Sequence, residues 1–329
     1  MIESSIKDSL AFLFPGQGAQ KVGMGLELSQ EYASARVVFD EADTILSRKL
    51  SQLCFEGPAE ALKQTENTQL AILTCSVAAL RVLSEHGIAP TAVAGHSLGE
   101  YSALVAANVL AFSDALKLVE YRAQVMAEAS QRQDCTMAAI LGLDEATLQD
   151  LCEAASSAEA TSSGQDASAG VVQIANYNCP GQLIVSGDTA AVEQVMASAK
   201  DAGARRCLRL EVSGAFHSSL MAPAKEQLQT VINDFQFNNP SIQVAANVTG
   251  NFVQTADEVR RLLIAQVTSA VQWEKSTRTI GAAGISHFVE VGPGTVLSGM
   301  VRRTLPEAIC LNVEDTKSFN KVMDIAYKG

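Results

Sequence analysis

The sequence predicts an α/β fold in two parts, a larger domain on a parallel sheet and a small β-α-β-β-α-β unit inserted in it. Three observations predict it. Short, unbroken apolar runs such as residues 10–14 and 92–94 alternate with helical stretches, as strands buried on both faces of a sheet do. From residue 136 to 212 the order changes to strand, helix, two strands joined by a tight turn, helix, strand, the split βαβ plan of a ferredoxin-like unit. Strand–helix alternation then resumes. The expected division is 1–132 with 209–329 for the large domain and 133–208 for the small one.

Taken in order, residues 10–14 form a buried strand that breaks at Pro15-Gly16-Gln17-Gly18-Ala19-Gln20. This loop is not a dinucleotide fingerprint, because Lys21 stands at the third glycine position. It is either a connecting turn or a backbone loop at the carboxyl end of a central strand, where α/β folds place ligands. Residues 24–53 read as surface helix, 69–83 as a strongly apolar helix, and 92–94 as a strand. Ser113 is the expected N-cap of a helix running to about residue 130. Arg122 lies on that helix among Leu118, Val125 and Ala129, so it either snorkels to water or meets an anion. In the small unit, strands at 136–141, 171–177, 182–186 and 205–212 enclose helices at 144–155 and 189–202. The Ala/Ser/Gly stretch 155–170 is expected as an exposed loop. A strand at 242–248, a helix at 256–267, a strand at 287–291, a short strand near 309–311 and a helix at 318–327 complete the chain.

The 329 residues are 47% hydrophobic and 18% charged, enough apolar content for a sizeable core. A net charge of −12 argues against a nucleic-acid binder. Seven cysteines, with no C-x-x-C, suggest neither a disulfide framework nor a zinc site. No apolar run is long enough to span a bilayer, and residues 1–8 lack the pattern of a secretory signal. A cytoplasmic protein is expected, or one of the plastid or mitochondrial matrix if a transit peptide has been removed.

The chemistry centres on Gly95-His96-Ser97-Leu98-Gly99. A strand, a G-x-S-x-G turn and a helix make the context of a nucleophile elbow, and the large domain is accordingly expected to be hydrolase-like. Ser97 is the candidate nucleophile, and the backbone N–H of Leu98 faces a developing oxyanion. A serine hydroxyl needs a base. Of the four histidines, His86 ends a helix, His96 points away from its neighbour on a sharp turn, and His287 begins a strand. His217 remains, in a loop of small residues after a strand. No orienting third member is evident among 36 acidic residues.

Several segments, in order along nearly the whole chain, together resemble the malonyl-CoA:acyl carrier protein transacylases and the acyltransferase domains of fatty-acid and polyketide synthases. They are Phe14-Pro15-Gly16-Gln17-Gly18-Ala19-Gln20, residues 95–103, Tyr121-Arg122, Asn178-Cys179-Pro180-Gly181-Gln182, Gly214-Ala215-Phe216-His217-Ser218 and residues 289–294. The resemblance implies Ser97 as acylated nucleophile, His217 as base, and the backbone N–H groups of Gln17 and Leu98 as oxyanion hole. It implies Arg122 as partner of a malonyl carboxylate and the main-chain carbonyl of Gln266 as the group orienting His217. Arg122, Gln17, His96, Met126, Phe216 and Asn178 are the implied substrate contacts, with Phe216 limiting room for a branched acyl group. Ala270 stands where the family commonly has proline.

The implied reaction is a ping-pong malonyl transfer from malonyl-CoA to the phosphopantetheine thiol of an acyl carrier protein, with neither metal nor bound cofactor. The pathway is fatty-acid synthesis or, alternatively, polyketide synthesis. A thioesterase or esterase using the same Ser and His is a rival, as is a non-catalytic carrier-binding scaffold. An acidic carrier would dock on basic residues near Arg205, Arg206 and Arg209, with Lys200 beside them and Arg302 and Arg303 as a second group. A monomer is expected.

Overall fold

The computed structural model describes residues 9–162, 170–212 and 214–328. The large domain opens with β1 (Leu10–Phe14), followed by α1 (Leu26–Glu31), α2 (Ala33–Ile45), α3 (Leu50–Glu56), α4 (Ala59–Lys63) and α5 (Thr65–Glu85). Next come β2 (Ala92–Gly95), α6 (Gly99–Ala106) and α7 (Phe112–Ser130). The small unit holds β3 (Cys135–Leu141), α8 (Glu145–Ser162), β4 (Val172–Cys179), β5 (Gln182–Asp188), α9 (Thr189–Asp201) and β6 (Arg206–Arg209). The chain then returns through α10 (Ala222–Val231), β7 (Gln243–Ala245), β8 (Phe252–Val253), α11 (Ala256–Gln266) and α12 (Trp273–Ala282). It ends with β9 (His287–Val291), α13 (Val296–Thr304), β10 (Ile309–Val313) and α14 (Thr316–Lys328).

Six strands form one sheet in the order β10-β9-β1-β2-β7-β8. It is parallel from β10 to β7, with Phe12 paired to Val93 on one side and Val289 on the other; only the two-residue β8 is antiparallel. Every residue of β1 and β2 is buried, as central strands covered on both faces must be. Because these strands run parallel, the loops after β1, β2 and β9 all emerge at one edge, where such sheets place ligands.

The second sheet is antiparallel, in the order β4-β5-β3-β6. With α8 and α9 packed on one face, this is the ferredoxin-like arrangement that the strand–helix order predicts. β4 also reaches the large domain: Val271 N donates to Ala175 O and Tyr177 N to Val271 O, at 2.9 Å each. These bonds carry Asn176 and Asn178 to the edge of the parallel sheet.

Several sequence expectations shift. The surface-like helical stretch expected at 24–53 comprises three helices, separated at extended Tyr32 and at residues 46–49. Ser113 is not an N-cap, because α7 starts two residues earlier, at Phe112 after extended Ala111, and Ser113 lies in its first turn. The stretch 155–170 is not a loop throughout: α8 continues to Ser162, alanine being the best helix former, and residues 163–169 lie outside the described residues. Ser213 and residues 1–8 also lie outside them. The strands expected at 205–212 and 242–248 shorten to four and three residues. Helices α12 and α13 and strand β8 had no clear signal in the sequence. Among the described residues, no helix is long and apolar enough to cross a membrane.

Candidate active site

Strand β2 ends at Gly95, and the chain turns sharply into α6. A Cβ on Gly95 would stand 1.9 Å from the carbonyl of Gly99, and one on Gly99 would stand 2.0 Å from Phe14 O. Only glycine permits this closeness of strand, helix and β1. Ser97 occupies the bend with φ 51°, a left-handed conformation costly for a residue with a side chain. Asn247, just beyond β7, braces the turn: its Oδ1 accepts from Ser97 N at 2.7 Å and its Nδ2 donates to Gly95 O at 2.6 Å.

His217 enters from the loop before α10, also left-handed at φ 60°. Its Nε2 lies 2.7 Å from Ser97 Oγ. Its Nδ1 faces two carbonyl oxygens, Gln266 O at 2.8 Å and Ser269 O at 3.2 Å. Two acceptors require that Nδ1 carry the proton, which leaves the Nε2 lone pair to accept from the serine hydroxyl. The carbonyls of the Gln266–Ser269 turn thus occupy the place of an acidic third member, and Ala270 beside them leaves both within reach. Burial, then the nearby Arg122 charge, lowers the His217 pKa to about 3. The imidazole is therefore neutral and able to accept a proton at neutral pH.

Arg122 does not snorkel. It is 1% exposed and projects from α7 into the site. Nη1 donates to Gln69 Oε1 at 2.5 Å, and Nη2 donates to Gln266 Oε1 at 2.9 Å and to Ser97 Oγ at 3.2 Å. Its guanidinium carbon lies 5.5 Å from the centre of the Tyr101 ring. Among the described residues its Nε has no hydrogen-bond partner. Burial opposes its charge and nearby Tyr101 and Glu100 favour it, yet a guanidinium remains protonated.

A cavity of about 270 Å³ opens over these groups. Gln17, His96, Leu98, Met126, Asn178 and Phe216 line it together with Ser97, Arg122 and His217. Gln266 lies behind its wall, fully buried. The N–H groups of Gln17 and Leu98 donate no hydrogen bond among the described residues. His96 faces away from Ser97: its Nε2 meets Asn178 Oδ1 at 2.9 Å and its ring packs on Trp273, with burial lowering its pKa. It thereby links the elbow to β4. The proposed basic residues are divided. Register places Arg206 opposite Leu141 and Arg209 opposite Ala138, on opposite faces of β6. Arg209 is held by Glu193 and Thr136 on the helix side. Arg303 donates to Gln182, which lines the cavity.

Sequence reasoning missed three members of the site. Gln69 lies on α5, Asn247 in the loop after β7, and Glu100 directly after the elbow. Glu100 alone carried a signal, an acid in the apolar first turn of a helix whose residues 99–105 prove buried.

A strained serine, a neutral histidine oriented by carbonyls, and free N–H groups at a cavity define an acyl-transferring enzyme of the serine-nucleophile class. The comparisons agree. Residues 11–323 match the acyl transferase domain family, and the chain belongs to it. It is an acyltransferase. It is 43% identical over 309 residues to the malonyl CoA-acyl carrier protein transacylase of Bacillus subtilis, covering 94% of each chain. An acyl carrier protein S-malonyltransferase from Vibrio cholerae superposes with a TM-score of 0.89 at 38% identity, over 95% of this chain and 99% of that one. A malonyl-transacylase solved in complex with a type II polyketide-synthase acyl-carrier protein superposes at 0.90 and 36% identity, over 98% and 100%.

Proposed function

We propose that this acyltransferase moves the malonyl group of malonyl-CoA to the phosphopantetheine thiol of an acyl carrier protein, supplying the extender unit of fatty-acid synthesis. The observation that carries the reading is Arg122, a fully buried cation 3.2 Å from the nucleophile's oxygen. It suits an acyl group that brings its own carboxylate, since a charge-assisted bidentate pair is the strongest partner a guanidinium finds.

In the first step His217 Nε2 takes the proton of Ser97 Oγ as that oxygen attacks the thioester carbonyl. The N–H groups of Gln17 and Leu98 receive the oxyanion. The carbon–sulfur bond breaks, and coenzyme A leaves as the thiol with the proton from His217. In the second step His217 takes the proton of the carrier's thiol, whose sulfur attacks the malonyl-serine ester, and returns it to Ser97 Oγ. These steps use side chains and main-chain N–H groups, with malonyl-CoA as substrate. Met126, Phe216, His96 and Asn178 shape the acyl pocket, with Phe216 limiting room for a branched acyl group. Gln266 orients His217 through its carbonyl.

The carrier complex of the structural relative supports an acyl carrier protein as second substrate here. Its docking residues would lie near Arg205, Arg206 and Arg209, of which Arg206 pairs with Leu141 on the face of β6 opposite Arg209, with Arg303, bonded to the cavity-lining Gln182, in the second basic group. The same reading makes the protein a cytoplasmic monomer whose residues 133–208 form the ferredoxin-like subdomain. Initial rates over a grid of malonyl-CoA and holo-carrier concentrations test the reaction order. Parallel double-reciprocal lines are expected. Intersecting lines, or free malonate released at the same rate without a thiol acceptor, contradict it.

A further inference from the structure

Glu100 is 3% exposed and, among the described residues, touches no cation. Its Oε2 accepts from Gln266 Nε2 at 2.6 Å, and its Oε1 accepts the long bond from Asn247 N at 3.3 Å. Gln266 is fully buried, and its Oε1 accepts from Arg122 Nη2 at 2.9 Å. One side-chain amide therefore separates the buried carboxylate from the buried guanidinium, and its orientation is set from both ends. The charged group that acts on Glu100 is Arg122 from α7; Tyr101 beside it on α6 is neutral, its own pKa pushed up to about 12 by burial. From α11 and the loop after β7 it accepts, among the described residues, from the side-chain amide of Gln266 and the main-chain N–H of Asn247. His217 reaches the same Gln266 through its main-chain carbonyl.

We propose that Glu100 is a specificity-determining residue: it is the second carboxylate on the single cation Arg122, and it takes up one proton when an acyl group brings its own carboxylate there. The inference rests on the reading of Arg122 as the malonyl partner. Two carboxylates sharing one dry, cationic site do not both stay ionised, and the one without direct contact to the cation yields. Glu100 is prepared for this, since burial raises its pKa to about 7 against the pull of Gln266, Asn247 and Arg122. Proton balance is simple. The serine proton leaves with coenzyme A by way of His217, and a second proton from solvent settles on Glu100. It is released when the malonyl group passes to the carrier. An acyl group without a carboxylate, such as acetyl, takes up none.

The sign follows. Acylation by malonyl raises the Glu100 pKa above that of the free enzyme, so the malonyl-enzyme is favoured at low pH and loses ground as pH rises above about 7. The test is intact-mass quantification of acyl-enzyme at fixed ratios of CoA ester to free CoA, from pH 6 to 8.5, with malonyl-CoA and acetyl-CoA in parallel. Their ratio cancels the titration of the CoA thiol. In the wild type the malonyl-to-acetyl ratio should be flat below about pH 7 and fall by up to about tenfold per pH unit above it, one proton per acylation. In Glu100→Gln, which mimics the protonated carboxyl, the ratio should stay flat and high. A flat wild-type profile, or the same slope in Glu100→Gln, overturns the proposal. Should the variant not fold, an indicator dye in weakly buffered wild-type solution at about pH 8, above the free-enzyme Glu100 pKa of about 7, decides: about one proton taken up per malonyl-serine and none per acetyl-serine is expected, and equal uptake overturns it. Failure of the underlying reading looks different, as no malonyl adduct at any pH or an unchanged malonyl preference in Arg122→Ala.

Discussion

His217 Nε2 lies 2.7 Å from Ser97 Oγ, and both residues hold a left-handed backbone, at φ 60° and 51°. Each side chain is thus presented by a strained turn at the edge of the sheet and fixed from behind, the serine by Asn247 and the histidine by two carbonyls. Strain of this kind persists where the surrounding packing over-determines it, and it is common where a reactive group must be held in one geometry.

Arg122→Ala should lose malonyl loading by about ten- to hundredfold, corresponding to the ~1.5–3 kcal/mol of a charge-assisted hydrogen bond. Acetyl loading should be retained or increased, because the cavity gains neutral space. Acyl-serine yields from the two esters, measured side by side, check this. A parallel loss of both would assign Arg122 to the nucleophile instead.

The pH profile of loading should show no inflection near 6.5, the ordinary histidine value. Because burial lowers the His217 pKa to about 3, the neutral base is populated above that value and is lost only as pH falls through it. Single-turnover loading from malonyl-CoA should therefore stay flat from pH 7 down to about 5. A tenfold fall across that range would place the working pKa near 6.

Asn247→Ala should both destabilise the fold and slow loading. It leaves Ser97 N–H and Gly95 C=O without partners in a buried turn, at about 1–3 kcal/mol for each unsatisfied group. Denaturant unfolding and loading rates on the same preparation check the pair of effects. An unchanged rate would mean that the glycines alone hold the elbow.

Much of this was legible in the sequence, for local reasons. The elbow, the buried strands and the order of the small unit are written in neighbouring residues: glycines where backbones touch, apolar runs of strand length, one tight hairpin turn. His217 could be reached by elimination and the carbonyl of Gln266 by resemblance. What was hidden depends on contacts across the chain. Asn247 lies 150 positions from Ser97, and an Asn in a loop carries no mark of what it will brace. Whether Arg122 reached water or stayed inside was undecidable on α7 alone, because Gln69 and Gln266 come from two other helices. The three arginines near 205–209 looked like one patch, whereas strand alternation turns Arg209 to the opposite face from Arg206.

Reversing charge at Arg205, just before β6, and at Arg206 should raise KM for the carrier and leave KM for malonyl-CoA unchanged, and Arg209→Glu should do less, since alternation turns Arg209 to the helix side, where it is engaged with Glu193. Steady-state kinetics at low salt would show the difference. Equal effects on both substrates would rule out docking at this surface.

The central claim is a malonyl ester on Ser97 that waits for a thiol. Intact-protein mass spectrometry after brief mixing with malonyl-CoA tests it most directly, with Ser97→Ala as control. The account predicts a single malonyl adduct that persists without acceptor, vanishes on adding holo-carrier and never forms in Ser97→Ala. An adduct that survives the loss of Ser97, or free malonate accumulating with no adduct and no need of a thiol, would contradict it.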